Sequence, residues 1–149
     1  MSEIVRFKEL QKPAKYLNYL VIGFSIIAVI LALITQEWFL IGLAIGLYLF
    51  IRSVELEMII YEDRISYKCV PFKFTYTDLS FEDIDDIYIG KYNARFKYKG
   101  FKVKKAGKYE GYFFGGYDVI QIKMKSGRVI IISSKKIDEV RNIIENKSL

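Results

Sequence analysis

Hydrophobic positions along this chain fall into three regimes. Leu17 to Ile34 (LNYLVIGFSIIAVILALI) is an unbroken apolar run, and after Thr35-Gln36-Glu37 a second extends from Trp38 to Ile51 (WFLIGLAIGLYLFI). From Glu55 onward the period shortens to two, and near the C-terminus apolar residues return to spacings of three and four. The first run suits a hydrocarbon core of ~30 Å at ~1.5 Å per helical residue, whereas the second alone reaches only ~21 Å. Extended to Val54, with Arg52 snorkelling toward the headgroups, the second also becomes long enough. The pattern predicts a transmembrane helical hairpin over 16–54, a basic cytoplasmic head over 1–15, and a soluble domain over 55–149. That last piece is large enough for one small core and too small for two.

A cleaved signal peptide is the alternative for the first run. Leu31-Ala32-Leu33-Ile34-Thr35 lacks a small-x-small cleavage pattern and a second apolar run follows at once, which favours a retained hairpin. Arg6, Lys8, Lys12 and Lys15 precede the hairpin, Arg52 ends it, and the intervening turn holds only Glu37. The excess of basic residues at both ends places both termini in the cytoplasm. Ala28 and Ala32 stand one turn apart in the first helix, and Gly42 and Gly46 in the second. In an antiparallel hairpin Ala32 would lie level with Gly42 and Ala28 with Gly46, either packing the two helices together or presenting a face to a second copy. Tyr16, Tyr19 and Trp38 fall where interfacial anchors are expected. No Asp, Glu, Lys, Arg or His interrupts 17–34 or 38–51, which argues against an ion or proton pathway within this hairpin alone.

Beyond the hairpin, Leu56, Met58 and Ile60 alternate as a strand, Glu62-Asp63 turns, and Arg64 to Val70 returns. Pro71 breaks the run before Phe72, Phe74 and Tyr76. Ser80-Phe81-Glu82-Asp83 reads as a capped turn into Ile84, Ile87 and Ile89, with further strands at Ala94–Lys99, Phe101–Lys105 and Tyr112–Phe114, Gly100 shifting the alternation between the first two of these. Val119 to Met124 and Arg128 to Ile132 flank Lys125-Ser126-Gly127 as a hairpin. Ser134 is placed to cap a last helix whose Ile137, Val140, Ile143 and Ile144 share one face. The prediction is a membrane-anchored α+β chain with about seven antiparallel strands and one C-terminal helix.

Two membrane helices, the Ser80-Phe81-Glu82-Asp83-Ile84-Asp85-Asp86-Ile87 corner, Lys99-Gly100-Phe101, and Ile120–Gly127 running on to Ile132-Ser133-Ser134 together make a pattern. In that pattern, over 55–146, the chain resembles the bacterial PH-like domains. It departs from them in carrying Phe81 where Trp is common, and Lys136 where Pro often opens the last helix. The resemblance implies a PH-like β-barrel or sandwich in a small prokaryotic membrane protein. It also implies a binding or assembly module, often self-associating, with no catalytic residues to transfer.

Composition narrows the chemistry. The 149 residues include no His and one Cys, Cys69, which excludes an intrachain disulfide and a Cys/His zinc cage and leaves a thiol nucleophile without an imidazole base. The net charge of +6 concentrates in Lys91, Arg95, Lys97, Lys99, Lys102, Lys104, Lys105 and Lys108, a stretch free of acidic residues. On strands these would display a basic surface to anionic lipid headgroups, each worth ~1 kcal/mol within a Debye length, or they form an ordinary solvated face. Interleaved Tyr and Phe also satisfy a loose base-stacking pattern, though strand aromatics in so small a domain argue for core instead, and nucleic acid is not the expected partner. Asp78, Glu82, Asp83, Asp85 and Asp86 form an opposing acidic cluster without the ligand spacing of a calcium loop, and Gly115-Gly116 lacks the sequel of a phosphate loop. No catalytic, cofactor or metal residues are assigned. The expected function is a non-enzymatic module at the cytoplasmic membrane face that contacts anionic lipid and a protein partner or itself. The alternative is an accessory subunit of a membrane transport or immunity system docking through the hairpin.

Overall fold

The computed structural model of the chain describes residues 4–92, 102–115 and 118–146. The elements run β1 (Val5–Gln11), α1 (Lys15–Thr35), α2 (Phe39–Ser53), β2 (Glu55–Tyr61), β3 (Arg64–Val70) and β4 (Lys73–Ser80). A 3-10 turn (Phe81–Asp83) leads to β5 (Ile84–Lys91), β6 (Lys102–Ala106), β7 (Tyr109–Phe113), β8 (Asp118–Met124), β9 (Val129–Ser133) and α3 (Ile137–Glu145). The fold is α+β: two helices near the N-terminus, nine strands in two sheets among the described residues, and a C-terminal helix.

With 21 residues, α1 spans ~31 Å and is long and apolar enough to cross a membrane. It ends at Gln36, which takes a left-handed conformation (φ 59°) and turns the chain into α2, an apolar helix of 15 residues. The helices meet through Val21, Ala28 and Ala32 on α1 and Ala44 on α2, all buried. Gly42 and Gly46 do not take part: both are exposed, and a Cβ on either would meet nothing within 4 Å. The expected Ala32–Gly42 and Ala28–Gly46 levels are thus replaced by packing around Ala44. Two residues are ~200° apart around a helix, so a face centred on Ala44 turns Gly42 and Gly46 away.

The first sheet has the order β1-β2-β3-β4, every neighbour antiparallel. The residues before α1 are therefore not a separate head, because Val5–Gln11 forms an edge strand of the domain. The second sheet has the order β5-β8-β9-β7-β6. Its β7–β9 pair is parallel, so the expectation of about seven antiparallel strands is corrected to nine with one parallel pair. Alternation of side chains marks a strand but carries no information on its direction. The expected strand at Ala94–Lys99 and the Gly100 shift lie outside the described residues.

The sheets face each other across one core containing Leu56, Met58, Ile60, Ile65, Tyr67, Ile120, Ile122, Ile130 and Ile132, all essentially buried. At one end of β9 Ser133 meets Gln11 of β1, and at the other Arg128 meets Tyr67 of β3, so β9 runs across the strands of the first sheet. Helix α3 packs the fully buried Val140, with Ile137, Ile143 and Ile144, onto this core. Ser134 is not its cap. The helix starts after Lys136, and Ser134 Oγ accepts the Lys136 N–H (3.1 Å) while donating to Glu9 (2.7 Å).

Candidate functional site

The strand pairing determines how the hairpin meets the domain. β1 and β2 are antiparallel neighbours with Gln11 opposite Leu56, so α1 and α2 together occupy the place of a β-turn. The two helices consequently leave the same end of the sheet side by side. In the same row, Leu56 stands opposite Cys69 and Cys69 opposite Lys73. The turn between β3 and β4 lies against the hairpin: Phe72 is edge-on to Phe50 of α2, with ring centroids 6.4 Å apart at 86°.

This hairpin-side rim carries cations. Lys73 places its Nζ 5.2 Å from the centre of the Tyr67 ring. Burial lowers its pKa, Glu110 counteracts that, and the nearby positive charges of Arg128 and Lys105 lower it further. Burial pushes the Cys69 thiol up to about 11, with Lys105 pulling slightly the other way, so Cys69 is held as a protonated core residue. Lys105, on β6, therefore stands near both rim residues.

The basic residues singled out from the sequence do not all come together. Lys91 ends β5, at one edge of the second sheet, whereas Lys102, Lys104 and Lys105 lie on β6 at the other. Lys104, opposite Gly111, and Lys105, opposite Glu110, are exposed. Lys108 sits in the β6–β7 turn beside Gly127. Arg95, Lys97 and Lys99 fall outside the described residues. Of the acidic cluster, Asp85 pairs with Lys123 (2.7 Å) and Asp78 accepts from Ser66 Oγ, while the backbone carbonyl of Asp83 accepts from the Lys125 N–H (2.9 Å). Ser80 Oγ accepts the Glu82 N–H at 3.3 Å, giving the expected capped corner. Among the described residues no group of three His, Cys, Asp or Glu is placed to hold a metal ion.

Sequence reasoning missed three carboxylate clusters. Glu57 on β2 accepts from Lys8 (2.8 Å), Lys68 (2.7 Å) and the Tyr76 hydroxyl (2.6 Å), tying all four strands of the first sheet. Burial alone would raise its pKa, but these hydrogen bonds outweigh it and hold the carboxyl at about 2. Between the sheets, Glu110 accepts from Arg128 (2.9 Å) and from the hydroxyls of Tyr67 and Tyr112 (both 3.1 Å). Burial, reinforced by Glu110, raises Tyr67 to about 12 and moves Tyr112 the same way, so neither phenol ionises near neutrality. Glu9 on β1, also buried, accepts from Ser134 Oγ (2.7 Å) and the Lys135 N–H (2.9 Å), and Gln11 donates to the Ser133 carbonyl (2.6 Å). The available signal was a Glu or Gln on a strand at an inward or centrally paired position; the partners come from elements distant in sequence.

Each of these carboxylates is thus committed to binding one structural element to another, whereas Lys104 and Lys105 of β6 are exposed. Comparison of the chain with protein-family models, with curated proteins and with solved structures finds no match in any of the three.

Proposed function

We propose that the protein is a non-enzymatic module held on the cytoplasmic face of a prokaryotic membrane by a transmembrane hairpin, with a PH-like domain that contacts anionic lipid and binds a protein partner or a second copy. The observation that carries this reading is the pairing of Gln11 with Leu56 across the hairpin. Because β1 and β2 belong to one sheet, both ends of the helical pair lie on the same side. A crossing by α1 then requires a return through α2. The excess of Lys and Arg at those ends favours the cytoplasm. Two crossing sheets closed by a C-terminal helix are in keeping with the PH-like pattern, and the β3–β4 turn lies against the hairpin through Phe72 and Phe50.

The test is backbone hydrogen exchange of the full chain in nanodiscs of phosphatidylcholine with and without phosphatidylglycerol. The expected result is slower exchange in β6 and the β3–β4 turn when the anionic lipid is present, reversed by salt. Unchanged exchange in both segments would remove the lipid contact from the proposal. The second reading, an accessory subunit of a membrane transport or immunity system, draws support from the open space around Gly42 and Gly46, where another helix can approach closely.

A further inference from the structure

Where the hairpin joins the domain, a cleft of about 370 Å³ opens between the start of α1 and the end of α2. Lys12 and Arg52 line it together with Asn18, and no acidic residue among the described residues does. The Arg52 guanidinium donates to the Tyr48 hydroxyl (2.9 Å), which fixes it beside the cleft. The floor is apolar, formed by Ile22, Ile51 and Val54.

Ile22 and Tyr48 also line a second, wholly apolar groove of about 430 Å³ that continues between the helices. The groove follows α1 from Ile22 to Ile30, a length of ~12 Å against ~15 Å for half a hydrocarbon core. Its Ser25 hydroxyl is spent on the Val21 carbonyl (2.8 Å) and leaves no call for a polar occupant. Two cations above an apolar slot of one leaflet's depth match an amphipathic anion in both charge and shape.

We infer that this composite cleft is a binding site for one anionic phospholipid, its phosphodiester between Lys12 and Arg52 and an acyl chain in the inter-helix groove. Basic pockets between helices at the cytoplasmic interface take anionic headgroups in this way. The site is distinct from the β6 rim and rests on the reading that the hairpin spans the membrane.

The experiment is native mass spectrometry of the full chain in a neutral detergent with equimolar phosphatidylglycerol and phosphatidylcholine. One phosphatidylglycerol is expected to be retained over phosphatidylcholine by about tenfold, the scale set by two partly screened cationic contacts. Lys12→Gln with Arg52→Gln should bring the two lipids to parity. Ile26→Trp, which fills the groove and leaves both cations in place, should expel the lipid. Equal retention by the wild type, or a preference that survives the double substitution, overturns the site. Displacement of the lipid by excess inorganic phosphate overturns it in favour of a free-phosphate ligand. In parallel, quenching of the single Trp38 by brominated lipid in vesicles reads the membrane span itself. Quenching without lipid preference rejects only the site, whereas absence of quenching rejects the span and the site together.

Discussion

Glu9 of β1 accepts hydrogen bonds from the Ser134 hydroxyl and the Lys135 N–H, joining a strand that precedes α1 to the segment that opens α3. Glu9 is only 5 % exposed, so its loss strands the buried Ser134 hydroxyl and the part-buried Lys135 N–H at the far end of the chain. Glu9→Ala is expected to cost about 1–3 kcal/mol, the penalty for unsatisfied buried partners of a charged acceptor. Ser134→Ala should cost less, and the double variant less than the sum. Additive losses in a denaturation series would show that the two residues do not act through each other.

Because β1 supplies Lys8 to Glu57 as well as Glu9 and Gln11 to the 133–135 segment, residues 55–149 alone form an incomplete domain. The expected behaviour is a broad, non-cooperative melt for that fragment. A version in which Val5–Gln11 is joined to β2 by a short Asn-Gly turn in place of the hairpin should melt cooperatively. Equal melting of the two by circular dichroism would make β1 dispensable.

The depressed pKa of Glu57 predicts the sign of an acid dependence. Its carboxyl falls from an ordinary 4.5 to about 2 on folding, so its stabilisation is complete above pH 4.5 and is lost as pH falls toward 2. At neutral pH this linkage is on the order of 3 kcal/mol. Glu57→Gln should therefore be less stable at pH 7, with the gap to wild type closing as pH falls through that window. A gap independent of pH would mean that Glu57 contributes by packing alone.

Gly111 is crossed by the ring of Phe113, two residues along β7. A Cβ there would stand 2.7 Å from the Phe113 ring, so Gly111→Ala must displace a side chain that is itself 8 % exposed. The expected cost is about 1–3 kcal/mol, as for other overpacked sites. Truncation of the ring in Gly111→Ala/Phe113→Ala should recover the part of this loss that comes from the clash, which a double-mutant cycle reads directly.

Gly46→Leu separates the two functional readings. The position is open, so the substitution should leave both the domain and the α1–α2 packing unchanged. If another membrane protein docks on this face, association measured by light scattering in detergent should be lost. Retained association would move the contact to the soluble domain.

The hairpin and the later strands were legible because their patterns are internal. An apolar run needs no partner to be recognised, and the strand–Lys125-Ser126-Gly127–strand unit announces itself by a turn glycine that adopts φ 78°. β1 was illegible for the opposite reason. Of its three inward residues, Phe7, Glu9 and Gln11, two are polar, and their hydrogen-bond partners lie more than a hundred residues away. A binary pattern records Glu9 and Gln11 as solvent-facing. The pairing of Gly42 and Gly46 with α1 inside the hairpin was not found, because matching depths along two helices leaves their rotation undetermined and Ala44 takes the contact. In the basic run, nothing in the spacing signals that Lys91 and Lys104 finish on opposite edges of one sheet.

The place of the helical pair between β1 and β2 also orders events during synthesis. Residues 5–11 leave the ribosome first, yet their strand partner is made only after both helices. On the membrane reading, the hairpin is inserted while β1 waits unpaired, and the first sheet closes only if both flanks have stayed in one compartment. A chain threaded with its N-terminus on the wrong side would leave Glu57 without Lys8 and the 133–135 segment without Glu9. On that reading, folding of the domain would act as a proofreading step for membrane topology, leaving misthreaded chains as unfolded substrates for proteolysis.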